Sequence, residues 1–258
     1  MSVTLSVCAI VKNEEENIEG LLKDVINFAD EVIILDTGSF DDTKDIVQEF
    51  LEKSKTSVYL FDYENKREIH QGKAWNASMK KATKDYILIT AADHRYSKEF
   101  KENIKKFLKE KKPIVANITR YDDLLPVLVD YMPFIIKNNQ GIFFFFYEKS
   151  RRHEQLQYNG ERMLFDFPVW HCQKNRHYLK SPQKILFPVR LEIDGIKKEH
   201  SFFWYFLKAI RGFFFKFKKI YFKKKLYKEG IKGLKFSFLK GLYIFLVNFF
   251  VGLKPKEK

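Results

Sequence analysis

The sequence predicts an α/β sandwich with a helical, basic and aromatic tail, and three observations carry that reading. Short apolar runs alternate with helix-period segments through the first 120 residues. The first two runs stop abruptly at polar loops, Lys12–Glu16 and Asp36–Asp42. From Ser201 the composition turns to Phe and Lys.

Val7–Val11 is the first apolar run, rich in β-branched residues, and reads as a strand. Ile18, Leu21, Leu22 and Val25 recur at helical spacing after it, and Val32–Leu35 is a second buried-type strand ending on Asp36. Two such strands joined by a helix make a parallel βαβ unit with a right-handed crossover. Ligands of such sheets bind beyond the carboxyl ends of the strands, where both polar loops fall. Asn13 or Asn17 is positioned to cap the first helix, and Glu14, Glu15 and Glu16 suit its positive end. Asp41 or Asp42 would cap a second helix through Ile46, Val47, Phe50 and Leu51.

Ser57–Phe61, Tyr86–Ile89 and Ile114–Ile118 read as further strands, with helices around Trp75–Ala82 and Phe100–Leu108 between them. Phe134–Ile136 and Ile142–Tyr147 flank Lys137–Gly141, a pattern that predicts a β-hairpin. Glu148–Glu161 reads as a polar stretch.

With 258 residues and 45% hydrophobic content, the chain can form one large domain plus an appendage, here drawn as residues 1–200 and 201–258. The net charge of +14 calls for an anionic partner: nucleic acid, a membrane surface or a phosphorylated substrate. Residues 208–240 hold twelve Lys or Arg against one acid, Glu229, so the rest of the chain is close to neutral. Cys8 lies in an apolar strand far from Cys172, so no disulfide framework is implied, which fits a reducing cytoplasm. The N-terminus lacks the basic region and long apolar run of a signal peptide.

Val11–Ile18 (VKNEEENI), Asp30–Thr43 (DEVIILDTGSFDDT), Gly72–Ile89 (GKAWNASMKKATKDYILI) and Arg152–Gly160 (RHEQLQYNG) resemble the family 2 glycosyltransferases. Within that family they are similar to the branch that includes lipopolysaccharide-core enzymes. The resemblance implies a GT-A fold, a nucleotide-diphosphate sugar as donor, and Mn²⁺ or Mg²⁺ as cofactor. It assigns Asp36 to the base or ribose, and Val11, Asn13 and Glu14 to the loop lining the nucleoside. The carboxylate has an independent rationale, since it can accept from ribose hydroxyls or a base N–H. Asn13 and Glu14 serve helix capping equally well.

The family's Asp-x-Asp element corresponds to Ala91-Ala92-Asp93, so the first carboxylate is missing and Asp93 is the expected metal ligand. One or two protein carboxylates suffice when phosphate oxygens and water complete the shell. His94 follows as a softer potential ligand. Trp75 stands where the family commonly has Arg; Lys73, two residues earlier, could contact the phosphates instead. Glu154 matches the general base of a His-Glu element, with His153 beside it and Arg151 or Arg152 to neutralise the leaving diphosphate. His171 matches a further family His and is either a metal ligand or a hydrogen-bonded core histidine.

In the tail, Phe203, Phe206, Leu207, Ile210, Phe213, Phe214 and Phe217 recur at helical spacing, opposite Lys208, Arg211, Lys218 and Lys219. This is the pattern of a helix lying in an anionic membrane interface. Gly241–Leu253 is uncharged but has 13 residues, short of the roughly 20 that span a bilayer. The expectation is an inverting glycosyltransferase on the inner face of the cell membrane, cytoplasmic and peripheral, acting on a lipid-linked or envelope glycan. The alternatives are a transferase homologue that binds nucleotide without turnover, and a basic protein that grips nucleic acid through the tail. No nucleic-acid-binding motif accompanies the tail, so nucleic acid is not the expected partner.

Overall fold

A computed structural model of the chain describes residues 2–63, 71–122, 128–146, 154–172, 193, 196, 198–223 and 225–255. The chain forms two compact units. The first comprises residues 1–124, 128–146 and 153–175; the second is mainly residues 176–258.

The first unit runs β1 (Leu5–Val11), α1 (Glu15–Val25), β2 (Glu31–Asp36), α2 (Thr43–Lys53), β3 (Ser57–Asp62), α3 (Gln71–Met79) and β4 (Tyr86–Thr90). It continues through β5 (His94–Tyr96), α4 (Lys98–Lys111), β6 (Val115–Asp122), β7 (Leu128–Lys137), β8 (Phe143–Phe146), β9 (Glu154–Gln157) and β10 (Arg162–His171). Eight strands form one mixed sheet in the order β3-β2-β1-β4-β7-β6-β10-β5, while β8 and β9 pair separately. The block β3-β2-β1-β4 is parallel, as the βαβ pattern predicts.

Side-chain alternation sorts the core into two layers. Val7, Ala9 and Val11 of β1 join Val32 and Ile34 of β2 beneath Leu21 and Leu22 of α1 and Phe100, Ile104 and Leu108 of α4. Cys8 and Ile33 point the other way, toward Trp75 and Met79 of α3. Burial pushes the Cys8 thiol up to about 12, which suits an inert core residue. Trp75 is therefore part of the core, packed on Phe144 at 6.3 Å between ring centres.

The expected hairpin across Lys137–Gly141 does not form. The turn is there, with Asn139 and Gly141 at positive φ, but its flanking strands go to different sheets. β7 inserts antiparallel between β4 and β6, where Ile135 and Ile136 are buried. β8 pairs with β9, so part of the stretch read as polar loop is strand. Local turn chemistry fixed the reversal, whereas burial on both faces chose the partner of β7. The cap of α1 differs: Glu14 stands at its N-cap and its side chain does not cap the helix. At α2, Asp42 holds the N-cap position and Asp41 Oδ1 accepts from Thr43 N, the first helical amide, at 3.2 Å.

The second unit holds α5 (Phe202–Lys218), a π-helical turn (Lys219–Lys223), a 3₁₀ turn (Leu226–Glu229) and α6 (Gly230–Leu253). Ser201 caps α5 by accepting from Trp204 N at 3.3 Å. The two helices pack antiparallel, with Gly212 against Ile244, Gly241 against Phe213 and Gly252 against Tyr205. A β-carbon at these glycines would come within 2.8, 2.9 and 2.9 Å of those neighbours, so the close approach depends on its absence. The buried positions of α6 are Gly233, Ser237, Gly241, Val247, Val251 and Gly252, while Ile231, Leu234, Phe238, Phe250 and Leu253 are exposed. The uncharged run Gly241–Leu253 is thus the second half of a 24-residue helix long and apolar enough to cross a membrane. The reading from the apolar run alone was too short because the helix starts before Lys232, Lys235 and Lys240.

At the sheet edge opposite the polar loops, Glu31 is buried and ties three segments together. Its carboxylate accepts from Ser6 Oγ, from Thr83 N at 2.6 Å and from Thr83 Oγ1 at 2.7 Å. Burial pushes this carboxyl up, but the donors from Ser6 and Thr83 outweigh it and hold the group below its ordinary value of 4.5. A depressed carboxyl contributes stability above its ordinary pKa and loses it as pH falls through the folded value. Glu31→Gln should therefore cost about 1–3 kcal/mol in urea unfolding at pH 7. The gap to wild type should narrow as the pH is taken below about 4.5.

Candidate functional site

The polar loops that follow β1, β2 and β4 leave the same sheet edge, and the first two are stitched to each other. Val11 and Asp36 are register partners at the ends of β1 and β2. Asn13 sits in the left-handed region at φ 54, where Asn is tolerated. Its N–H donates to Ser39 Oγ at 2.9 Å, and its Oδ1 accepts from Phe40 N at 3.0 Å. Glu14 N donates to Thr43 Oγ1 at 2.7 Å, and Glu15 N to Asp41 Oδ2 at 3.2 Å. In return, Asp42 N donates to Glu15 Oε2 at 3.1 Å.

Asp36 is fully buried, and its Oδ1 accepts from Gly38 N at 2.8 Å and Ser39 N at 3.0 Å. Its first task is to hold the Thr37-Gly38-Ser39 turn in place. Val11 is buried, and Asn13 and Phe40 are exposed along the loop rim. Glu14 Oε2 accepts from Asn17 Nδ2 at 2.9 Å. Lys73 lies exposed on the first turn of α3.

After β4 the chain turns through Ala91-Ala92-Asp93 into β5. Asp93 is 1% exposed, and its Oδ2 lies 3.0 Å from Nε2 of His171. The two meet because β5 runs antiparallel to β10, pairing His94 with His171. Two residues 78 positions apart are thereby brought into direct contact. The His94 ring lies 5.7 Å from that of His171, edge to face. It is buried, and Ala91 N donates to its Nδ1 at 3.3 Å. Thr90 Oγ1 lies 3.3 Å from the same nitrogen and accepts from Tyr96 OH at 2.6 Å. Burial pushes the Tyr96 phenol well up, so it remains a donor at neutral pH.

Among the described residues no three His, Cys, Asp or Glu converge as a metal cage. One carboxylate and one imidazole fit a cation whose remaining positions are filled by diphosphate oxygens and water. Asp93 and His171 would hold it.

Arg151, Arg152 and His153 lie outside the described residues. Glu154 is the first residue of β9, paired with Phe146; its backbone is described and its side chain is not. The β8–β9 pair is clamped to α3 by Asn76, whose Nδ2 donates to Phe144 O at 2.9 Å and whose Oδ1 accepts from Phe144 N at 2.7 Å. Asp166 accepts from Thr119 Oγ1 at 2.6 Å. It lies five residues before His171 on β10, within an irregularity in the pairing of that strand with β6. Sequence reasoning missed Asn76 and Arg95. Asn76 follows Trp75 at the start of a matched motif, and Arg95 hides in a polar run that reads as loop.

Residues 6–173 match the family described as glycosyl transferase family 2. An uncharacterized protein of Methanocaldococcus jannaschii is 35% identical over 92 residues, covering 33% of this chain and 38% of that protein. The fold is similar to that of S. aureus TarS, with a TM-score of 0.52 and 17% identity over 74% of this chain and 39% of that chain. TarS 1–349 in complex with UDP-GlcNAc gives a TM-score of 0.51 and 16% identity over 74% of this chain and 66% of that chain. The chain thus spans well under half the length of the curated relative and of the longer TarS chain. The family match runs from β1 through the strand that carries His171, and the chain belongs to glycosyl transferase family 2.

Proposed function

We propose that the chain transfers a sugar from a nucleotide-diphosphate donor to a hydroxyl of a membrane-associated glycan, with inversion at the anomeric carbon. The observation that carries this is the Asp93–His171 contact at the edge where the stitched loops also emerge. Val11, Asn13, Glu14 and Asp36 bind the nucleoside. Lys73, Arg151 and Arg152 meet the phosphates. Asp93 holds a cation, and His171 orients that carboxylate or adds its own nitrogen. Mn²⁺ or Mg²⁺ bound there supplies a Lewis acid for the departing diphosphate. Glu154 accepts the proton of the attacking hydroxyl, with His153 orienting the acceptor. Ala91, in place of a carboxylate, favours a second reading, nucleotide binding without turnover; donor hydrolysis in a sample that binds nucleotide separates the two.

The acceptor class rests on two supports. Resemblance to the lipopolysaccharide-core branch implies a lipid-linked or envelope glycan. The α5–α6 hairpin packs through Gly212, Gly241 and Gly252 and leaves Phe203, Phe214, Phe215, Ile231 and Phe238 exposed, a large apolar surface of the kind that meets a membrane. Its closed end holds Lys216, Lys218, Lys219, Lys223, Lys225, Lys228, Lys232 and Lys235, while Gly241–Leu253 has no charge. Spanning the bilayer from a cytoplasmic body would carry that lysine-rich turn to the far side, against the positive-inside tendency. Lying in the interface keeps turn and body on one face, with lysines among anionic headgroups.

UDP and UDP-GlcNAc, present in the TarS 1–349 structures, are the first nucleotides to test. Asp93→Asn should abolish Mn²⁺-dependent nucleotide binding measured by calorimetry while leaving the melting temperature near wild type. Unchanged metal-dependent binding would remove Asp93 from the site. Glu154→Gln should lower turnover about 10²–10⁴-fold with donor affinity preserved. Near-normal turnover would transfer the role of base to another group. In flotation at low salt the full chain should rise with anionic vesicles, stay behind with zwitterionic ones, and be released in part by high salt. Indifference to anionic vesicles would sink the membrane reading.

A further inference from the structure

Arg95 is the residue around which the Asp93 turn is built. Its Nη1 donates to Ala92 O at 2.8 Å and to His94 O at 2.7 Å, the carbonyls on either side of Asp93. Its Nη2 reaches across to Asn17 O of α1 at 3.0 Å. The remaining carbonyls of the turn are held as well. His94 N donates to Ala91 O at 3.0 Å, and Cys172 N donates to Asp93 O at 2.7 Å. Every carbonyl from Ala91 to His94 therefore has a donor, and two of the four depend on one guanidinium.

The seat of that guanidinium is Gly20. On α1 a β-carbon at this position would collide with Nη2, Cζ and Nε of Arg95. A glycine inside a helix is otherwise unfavourable by about 1 kcal/mol relative to alanine, so the site gives up helix propensity for room. Among the described residues no carboxylate lies within ion-pair distance of Arg95; its charge is met by carbonyl dipoles. The planar fork that spans two carbonyls and reaches a third is a geometry lysine cannot reproduce.

We infer that Arg95 is a positioning residue. Seated on Gly20, it sets the backbone on both sides of Asp93, so that the carboxylate is aimed for a metal–diphosphate before either arrives. It also joins the Asp93 turn to α1, whose first residues are stitched to the Ser39–Thr43 loop. The inference rests on the proposed nucleotide and metal site. Outer-shell groups of this kind typically govern metal affinity by 10–100-fold.

The experiment uses the full chain, Arg95→Lys and Gly20→Ala, with UDP, GDP, ADP and CDP as probes, each titrated with Mn²⁺ and again with EDTA. Both variants should weaken Mn²⁺-dependent binding roughly tenfold or more and leave binding in EDTA unchanged. In the metal-free protein, amide exchange at His94 and Cys172 should quicken in both. Gly20→Ala separates this from a helix effect, because alanine by itself favours the helix. Wild-type binding that both variants retain in full overturns the inference, even if exchange quickens. Equal loss with and without Mn²⁺ also overturns it, by showing a general structural role. Absence of metal-dependent binding in the wild type with either Mn²⁺ or Mg²⁺ removes the proposed metal site, and this inference with it.

Discussion

Strands β1, β2 and β4 are buried on both faces, so the backbone groups that leave their carboxyl ends must find partners within the protein. That constraint shapes everything at this edge. The loop after β1 meets it by bonding to the loop after β2, and the loop after β2 bends around the carboxylate of Asp36. The turn after β4 meets it with a guanidinium, a backbone amide from β5 and another from the residue after β10. Polar side chains that a family comparison would assign to a ligand are thus also the groups that make the edge a stable place. Asp36, Asn13 and Glu15 each serve the backbone first, and this presents a ligand with loops already ordered.

Much of this edge was legible from residue order. Apolar runs with β-branched residues located the strands, and helical spacing located α1 and α4, because burial imposes those periods directly. Asp36 stood out as a carboxylate ending such a run, and Asp93 by its resemblance to the second carboxylate of an Asp-x-Asp element. The contact between Asp93 and His171 could be expected only by resemblance, since nothing local links residues so far apart. Partner choice was not legible. Phe143–Phe146 and Leu128–Lys137 both read as strand, but their pairing depends on which sheet has room for a segment buried on both faces. Trp75 looked like a substitution at a phosphate-binding position and is a core residue against Phe144. Arg95 carried no periodic signal at all, because its role lies in carbonyls contributed by its own turn and by α1.

The second unit follows a different rule from the first. In the sheet, large apolar side chains fill the interior and polar groups face outward or bond at the edge. In the hairpin, Gly212, Gly241 and Gly252 let the helices approach closely, and phenylalanines such as Phe203, Phe214 and Phe215 are left exposed. Other aromatics meet across the contact, as Phe213 does Phe238 and Phe202 does Phe249. The same composition, rich in Phe and Lys, therefore does in three dimensions what its linear pattern could not specify: glycines set the helix spacing, aromatics both bridge the helices and lie exposed, and lysines gather toward the turn.

The insertion of β7 between β4 and β6 has a consequence for the order in which the chain can be completed. Residues 5–90 contain the whole parallel block β3-β2-β1-β4, with β1, β2 and β3 neighbours in chain order and β4 returning to the far side of β1. Once that block pairs, the outer edge of β4, with all five of its residues buried in the finished sheet, has no neighbour until residues 128–137 arrive. During synthesis at about 5–20 residues per second, that edge stays open for several seconds. An unpaired buried-type edge of this kind is open to pairing with another chain. β10 is the last strand to join and the one that delivers His171, so Asp93 gains its histidine only when the sheet has closed. A ribosome-bound fragment ending before residue 160 would contain the stitched loops after β1 and β2 and lack the Asp93–His171 pair.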